Sequence, residues 1–145
     1  MMVLPVFQFI PNLGHIFTGS PLVCGGRRNG DYTDLCSRYD AALDEWITLP
    51  GAMTERRGWS GYTSGYYRVE DWGLVMAGGT NGDGFLSSVE RTINGEVFRS
   101  LPDLPIENQE SCLVILDEYR LFTCGGYPTG SDALIFSPST GSWNR

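Results

Sequence analysis

The chain has 145 residues, enough for one domain, and its ten arginines without a lysine stand against 17 acidic residues, a formal charge of −7. Hydrophobic residues make up 41% of the chain, which excludes a disordered chain, and 19 glycines with eight prolines favour an all-β fold with many turns. The acidic balance argues against nucleic-acid and membrane-surface partners, and no apolar run is long enough to span a membrane.

The apolar start of the chain, residues 1–10, does not have the pattern of a secretory signal peptide. It lacks a basic segment, carries Pro5 and Gln8 inside the apolar run, and has no small-x-small cleavage site nearby. We interpret residues 1–11 as the tail of a preceding repeat, because Leu4-Pro5 resembles the mark that ends the next two repeats.

Three similar segments follow, with a period near 50 residues. In each, a short apolar run ends in a Gly pair, and an aromatic residue follows 18 to 21 positions after the first glycine. The Gly pairs are Gly25-Gly26, Gly78-Gly79 and Gly125-Gly126, and the aromatic residues are Trp46, Phe98 and Trp143. Leu-Pro follows at Leu49-Pro50 and Leu101-Pro102. Marks that recur together at this period indicate a β-propeller or a related repeat array.

The strand pattern is clearest in the third segment. Residues 111–116 and 120–124 flank a polar turn, which predicts an antiparallel hairpin in which residue 112 faces residue 124. Two further strands make four per repeat, with the Gly pair at the end of the second, where a positive φ or a close backbone approach excludes a Cβ. We expect the aromatic residue to fill the gap between neighbouring sheets, because one large ring buries about 150–250 Å².

The order of marks in the first segment resembles the kelch repeat: the Gly pair, then Tyr39-Asp40, Trp46, Leu-Pro, Met53 and Arg57. The second segment agrees less well, because residues 89–92 stand in place of the Tyr-Asp pair and Phe98 stands in place of the tryptophan. In the third segment, Phe136-Ser137 and Trp143 occupy these positions. The resemblance extends from Leu4 to Trp143. It implies a single domain over residues 1–145, with four-stranded propeller blades at approximately 12–50, 58–102 and 110–145.

Three blades are fewer than the four to eight or so that close a propeller. We therefore expect an incomplete propeller, with open apolar faces on the first and last blades. The chain is then a piece of a longer protein, or it associates with itself.

The blade arrangement selects one pairing of the four cysteines, Cys24 with Cys36 and Cys112 with Cys124, and four free thiols are the alternative. Disulfides imply an extracellular protein, and free thiols a cytoplasmic one. A zinc site is not expected, because there is no Cys-x-x-Cys and His15 is the single histidine.

No residues of the chain form a recognisable catalytic, metal-binding or cofactor-binding motif. His15 has no nucleophile motif around it, and one histidine cannot supply the two-Tyr, two-His copper site of the oxidases that resemble kelch propellers. The absence of lysine excludes P-loop and Schiff-base chemistry.

The kelch resemblance implies a non-catalytic module that binds an unidentified protein partner through the loops between strands. Arg27, Arg28, Tyr66 and Tyr67 are the candidate contacts, whereas Arg57 is expected to hold the neighbouring blade. Two alternatives remain: a fragment of a propeller enzyme of the galactose-oxidase type, and a glycan-binding propeller with Tyr62, Tyr66, Tyr67 and Tyr127 as contacts.

Overall fold

The structure, a computed structural model, describes residues 21–62, 73–117 and 120–145. This part of the chain is all-β, with every strand pair antiparallel, and it contains no helix that could cross a membrane. Its strands are β1 (Leu22–Cys24), β2 (Arg27–Arg28), β3 (Asp31–Tyr32), β4 (Leu35–Asp40), β5 (Glu45–Ala52), β6 (Gly61–Tyr62), β7 (Leu74–Ala77), β8 (Val89–Thr92), β9 (Phe98–Leu101), β10 (Cys112–Ile115), β11 (Leu121–Cys124), β12 (Ala133–Ser137) and β13 (Ser142–Asn144).

Three sheets follow one another along the described chain. Sheet 1 has the order β1-β4-β5, sheet 2 is β6-β7-β8-β9, and sheet 3 is β10-β11-β12-β13. A separate hairpin, β2-β3, lies between the first two strands of sheet 1. The predicted all-β fold with antiparallel sheets is confirmed. The first strand predicted for the first repeat lies outside the described residues, and the β2-β3 hairpin was not predicted.

The three sheets align with one another by strand register. Tyr39 faces Trp46 in sheet 1, Thr92 faces Phe98 in sheet 2, and Phe136 faces Trp143 in sheet 3. In each sheet the strand before the Gly pair ends directly at it, and all six glycines of the pairs have positive φ. The Gly pairs and the aromatic residues that mark the repeat in the sequence therefore occupy equivalent places in the three sheets.

Two apolar clusters hold successive sheets together. Between sheets 1 and 2 the cluster consists of Leu22, Cys24, Cys36, Leu49, Met53, Leu74 and Met76, with Phe98 packed against it. Between sheets 2 and 3 it consists of Val75, Ala77, Val89, Leu104, Leu113, Leu121, Phe136 and Trp143. Sheet 2 contributes alternate residues of β7 to the two clusters, because successive side chains of a strand point to opposite faces. This is why β7 is buried on both faces.

The aromatic residue packs against the neighbouring sheet, as expected, in sheets 2 and 3. Trp143 is buried, and its Nε1 donates to the carbonyl oxygen of Pro102 at the end of sheet 2, 2.9 Å away. Phe98 packs against the cluster shared with sheet 1. Trp46 remains 41% exposed and contacts Tyr39 of its own sheet. Phe98 and Trp143 each pack on the preceding sheet, and sheet 1 has no preceding sheet among the described residues, so the expectation for Trp46 stays a prediction.

The predicted cysteine partners face one another at disulfide distance. The Cα–Cα separation is 4.0 Å for Cys24 and Cys36 and 5.4 Å for Cys112 and Cys124, each pair lying directly opposite on adjacent strands. Sheet 2 covers the first pair, whose members are only 4% and 0% exposed. The second pair lies on the outward face of sheet 3, where Cys112 is exposed and Cys124 half-buried.

This difference in burial predicts the order in which the two disulfides are reduced. In a titration with a mild thiol at a protein concentration near 1 µM, we expect Cys112–Cys124 to open well before Cys24–Cys36, because a thiolate must reach the sulfur that it attacks. Alkylation followed by peptide mass analysis measures the order. The urea-unfolded chain is the control, in which the two bonds should open at similar rates. Earlier opening of Cys24–Cys36 in the folded chain would contradict the greater burial of that pair.

Candidate functional site

The loops that follow the second strand of each sheet and the links between consecutive sheets lie at the same edge of the sheets. In an antiparallel sheet, the loop after the second strand and the link after the fourth strand leave from the same edge. Hydrogen bonds tie loop to link: Gly26 N donates to Arg57 O and Gly79 N to Asn108 O, each at 2.7 Å. We call this surface the loop face, formed by residues 25–34, 53–60, 78–88, 102–111 and 125–132.

The two links between sheets share one backbone conformation. Trp59 and Glu110, 51 positions apart, both have positive φ, at 55° and 57°. The links are also joined to each other, because Glu110 N donates to Trp59 O at 2.7 Å. The first link pairs with the next loop at Gly58 and Thr80, and the second pairs at Gln109 and Tyr127. Hydrogen bonds therefore hold the backbone from which the side chains of both links extend.

A buried ion pair anchors the first link to sheet 2. The guanidinium of Arg57 is fully buried, and its Nη2 lies 2.8 Å from Glu90 Oε1. The same guanidinium donates to the carbonyl oxygens of Gly78 and Ser88 at 3.0 and 2.9 Å. The other carboxylate oxygen of Glu90 accepts from Thr54 N at 3.0 Å. Arg57 thus holds the neighbouring sheet, as predicted, and its partner Glu90 was missed in the sequence.

The first loop folds into the β2-β3 hairpin, and the two candidate arginines differ in their contacts there. Asn29 and Gly30 have positive φ, as a two-residue hairpin turn requires. Arg27 donates through Nη2 to Gly30 O at 2.6 Å, and its guanidinium lies 5.3 Å from the centre of the Tyr32 ring. Arg28 is exposed on the neighbouring strand position. The hairpin therefore uses the Arg27 guanidinium to hold its own turn, and Arg28 is the better candidate for an external contact.

Four aromatic residues lie on the loop face, and sequence reasoning missed all of them except Tyr127. Trp59, in the first link, is 48% exposed, and Tyr127, which pairs with Gln109 of the second link, is 58% exposed. Phe85 packs edge to face on Tyr127, with ring centres 5.4 Å apart, and the Tyr32 ring borders Gly58 and Gly82. We call Tyr32, Trp59, Phe85 and Tyr127 the aromatic group. The 51-residue spacing of the links was the sequence signal that could have located Trp59.

Charge is unevenly distributed over the loop face. Arg28 lies at the sheet 1 end, whereas Asp103, Glu107 and Glu110 are exposed on the link that leads to sheet 3. A partner that covers the aromatic group therefore meets an acidic margin on the sheet 3 side, whereas on the sheet 1 side Arg28 lies opposite the exposed Asp31. A charged margin of this kind fixes the orientation of a bound protein more than it raises affinity.

The remaining candidates lie elsewhere. Tyr66, Tyr67 and His15 are outside the described residues, and Tyr62 lies in β6. Within the described part of the chain, no group of three or more His, Cys, Asp or Glu side chains is placed to hold a metal ion. In comparisons with known proteins, the chain matches no family model and no curated protein.

Proposed function

We propose that this chain is a non-catalytic protein-interaction module, built from kelch-type blades of an incomplete β-propeller, that binds a protein partner through the loop face. Sheets 1, 2 and 3 correspond to the three blades. Further blades, from a longer chain or from self-association, complete the ring.

The observation that carries this proposal is the aromatic group. Trp and Tyr are enriched among the residues that dominate binding energy at interfaces, because they bury a large area with little loss of conformational freedom. Trp59 in the first link and Tyr127 in the loop that pairs with the second link expose large rings while hydrogen bonds hold their backbones. Binding residues commonly stand on loops that a rigid scaffold positions. The two cysteine pairs further favour an oxidising compartment for the complex.

The test compares the wild-type chain with a Trp59→Ser/Tyr127→Ser variant and with Leu43→Ser as the matched control. Leu43 is 63% exposed and lies in the turn between β4 and β5, at the opposite edge of sheet 1. Each purified chain is incubated with secretions or extract of its source cells, cross-linked and quantified by mass spectrometry. We expect the loop-face variant to lose at least about tenfold of a bound protein that Leu43→Ser retains. Equal recovery by all three chains contradicts the proposal.

Exposed aromatic rings also stack on sugars, so a glycan-binding propeller is the second candidate. A glycan array with the same three chains separates the two functions. Binding of one glycan class that is lost in Trp59→Ser/Tyr127→Ser would replace the protein partner with a carbohydrate ligand.

The galactose-oxidase alternative makes a different prediction. We expect the purified chain to show no copper-dependent oxidase or hydrolase turnover, because its sequence has one histidine and no nucleophile–base motif. Copper titration followed by a peroxide-release assay measures this. Stoichiometric copper uptake accompanied by turnover would restore the enzyme interpretation.

A further inference from the structure

The two links between sheets use one residue position to reach the sheet that follows. Arg57 in the first link and Asn108 in the second have the same 51-residue spacing as the two positive-φ residues of the links, and the backbone oxygen of each accepts from the second glycine of a Gly pair. Arg57 Nη1 donates to Gly78 O at 3.0 Å, and Asn108 Nδ2 donates to Gly125 O at 2.9 Å. The two side chains therefore make the same contact with the first glycine of the next Gly pair.

The strands that follow identify the counterparts of the other groups around the Arg57 guanidinium. Ser88 O in sheet 2 and Asp132 O in sheet 3 each accept from the backbone nitrogen of the first glycine of a Gly pair, at 3.0 Å. Glu90 lies two residues after Ser88, and Leu134 lies two residues after Asp132. Sheet 3 therefore has a leucine in place of the carboxylate that pairs with Arg57, and it has a carboxylate in place of the Ser88 hydroxyl.

A pocket lies in sheet 3 at the place that corresponds to the Arg57 guanidinium in sheet 2. Its lining includes Asn108 from the link and Gly125, Asp132 and Leu134 from sheet 3 and its loop. Asparagine is shorter than arginine, so Asn108 reaches Gly125 O without filling the space that a guanidinium fills at the preceding link. The pocket belongs to the loop face, between the second link and the loop with the third Gly pair.

The residues that line this pocket offer hydrogen-bond acceptors and a negative charge. Asn108 is only 6% exposed, and its Oδ1 is buried without a hydrogen-bond partner among the described residues. Ser88 O accepts a second hydrogen bond from Arg57 Nη1 at 2.9 Å, and Asp132 O is its counterpart at the pocket. The Asp132 side chain, 34% exposed, adds a carboxylate. A cation with several N–H donors complements this set of groups.

The chain itself indicates which cation suits the pocket. Arg145 also lines the pocket, and its Nη2 lies 3.0 Å from Asp132 Oδ2. Arg145 is 70% exposed, so this pair contributes little and a guanidinium that enters the pocket can displace it. At the preceding link, the planar fork of Arg57 already binds two carbonyl oxygens and a carboxylate. An ammonium group lacks this fork and fits such a set less well.

We propose that this pocket binds the guanidinium of an arginine side chain that the protein partner presents to the loop face. The proposal rests on the proposed function for the protein that carries the arginine, and it adds the chemistry of one contact. Asp103, Glu107 and Glu110, exposed on the same link, surround the contact with negative charge and favour a cationic segment of the partner.

The first experiment titrates the ¹⁵N-labelled chain with N-acetyl-arginine methylamide and follows the backbone amide signals by NMR. We expect shifts concentrated at residues 104–108 and 123–134, with a dissociation constant on the order of 1–10 mM for a single charged group. The citrulline counterpart has the same shape without the charge, and it should bind at least about tenfold more weakly. Equal binding of the two compounds, or no shifts at the pocket, would overturn the proposal.

A pair of matched variants tests the role of the carboxylate. Asp132→Asn should weaken arginine binding by at least about tenfold, because it removes the charge inside the pocket. Asp103→Asn removes the same charge from an exposed position of the second link, and it should change binding by less than about twofold. The NMR spectra also establish that each variant is folded. Equal binding by the two variants would contradict the assignment of the pocket.

The second experiment adds Asp132→Asn and Asp103→Asn to the cross-linking comparison of the loop-face variant with Leu43→Ser. We expect Asp132→Asn to lose at least about tenfold of the bound protein, and Asp103→Asn to retain it. Equal recovery by these two variants would overturn the assignment of the arginine to the partner. The titration uses the chain alone, so arginine binding at the pocket is measured whether or not Trp59→Ser/Tyr127→Ser loses the partner, and failure of the proposed function is distinguished from failure of the pocket.

Discussion

Replacing Arg57 with Met is expected to lower the free energy of unfolding by about 3–5 kcal/mol, because removing one partner of a buried ion pair leaves the other charge uncompensated. The substitution leaves the Glu90 carboxylate 1% exposed without its cation, and it removes the hydrogen bonds to Gly78 and Ser88. Urea unfolding of wild type and variant, followed by tryptophan fluorescence, measures the difference.

The matched control is Arg120→Met, which breaks an exposed ion pair. Arg120 and Asp117 approach to 2.7 Å, but the arginine side chain is 51% exposed. We expect a loss of about 1 kcal/mol or less, because solvent already screens such a pair. If Arg57→Met were no more harmful than Arg120→Met, the buried pair would not anchor the link to sheet 2.

The second large effect is expected at the first glycine of a Gly pair. Gly78 has φ of 62°, and a Cβ built on it would lie 2.1 Å from the carbonyl oxygen of Asn108 in the following link. Gly78→Ala therefore strains its own backbone and also displaces the link, and we expect it to cost about 3 kcal/mol or more. Thermal and urea unfolding measure the loss.

Gly125→Ala is the matched control for this prediction. Gly125 has a similar φ of 69°, but the nearest atom to a built Cβ is Gly130 O at 3.6 Å. Only the backbone strain of about 1–3 kcal/mol then applies, and we expect the lower end of that range. Equal losses in the two variants would mean that the close approach of the link contributes nothing.

The elements that could be predicted from the sequence depend on short-range patterns. The Gly pairs end the second strands because that position needs a positive φ, and the sequence shows them at a fixed place after an apolar run. The register of Cys112 with Cys124 follows from the short turn of a hairpin. These features need no knowledge of what packs against the sheet.

The features that were missed depend on neighbours distant in the chain. Glu90 is buried because Arg57, 33 residues earlier, reaches it from the link. The β2-β3 hairpin has strands of two residues, too short for an alternating pattern, although its Asn29-Gly30 turn was a usable signal.

The central claim, that the loop face contacts a protein partner, is tested most directly by photo-cross-linking. Benzoyl-phenylalanine replaces Trp59 in one chain and Leu43 in the control chain, and each is irradiated in its source cells. We predict a covalent adduct with another polypeptide from position 59 and none from position 43. An adduct from position 43 with none from position 59 would contradict the account, because it would place the partner at the opposite edge of the sheets.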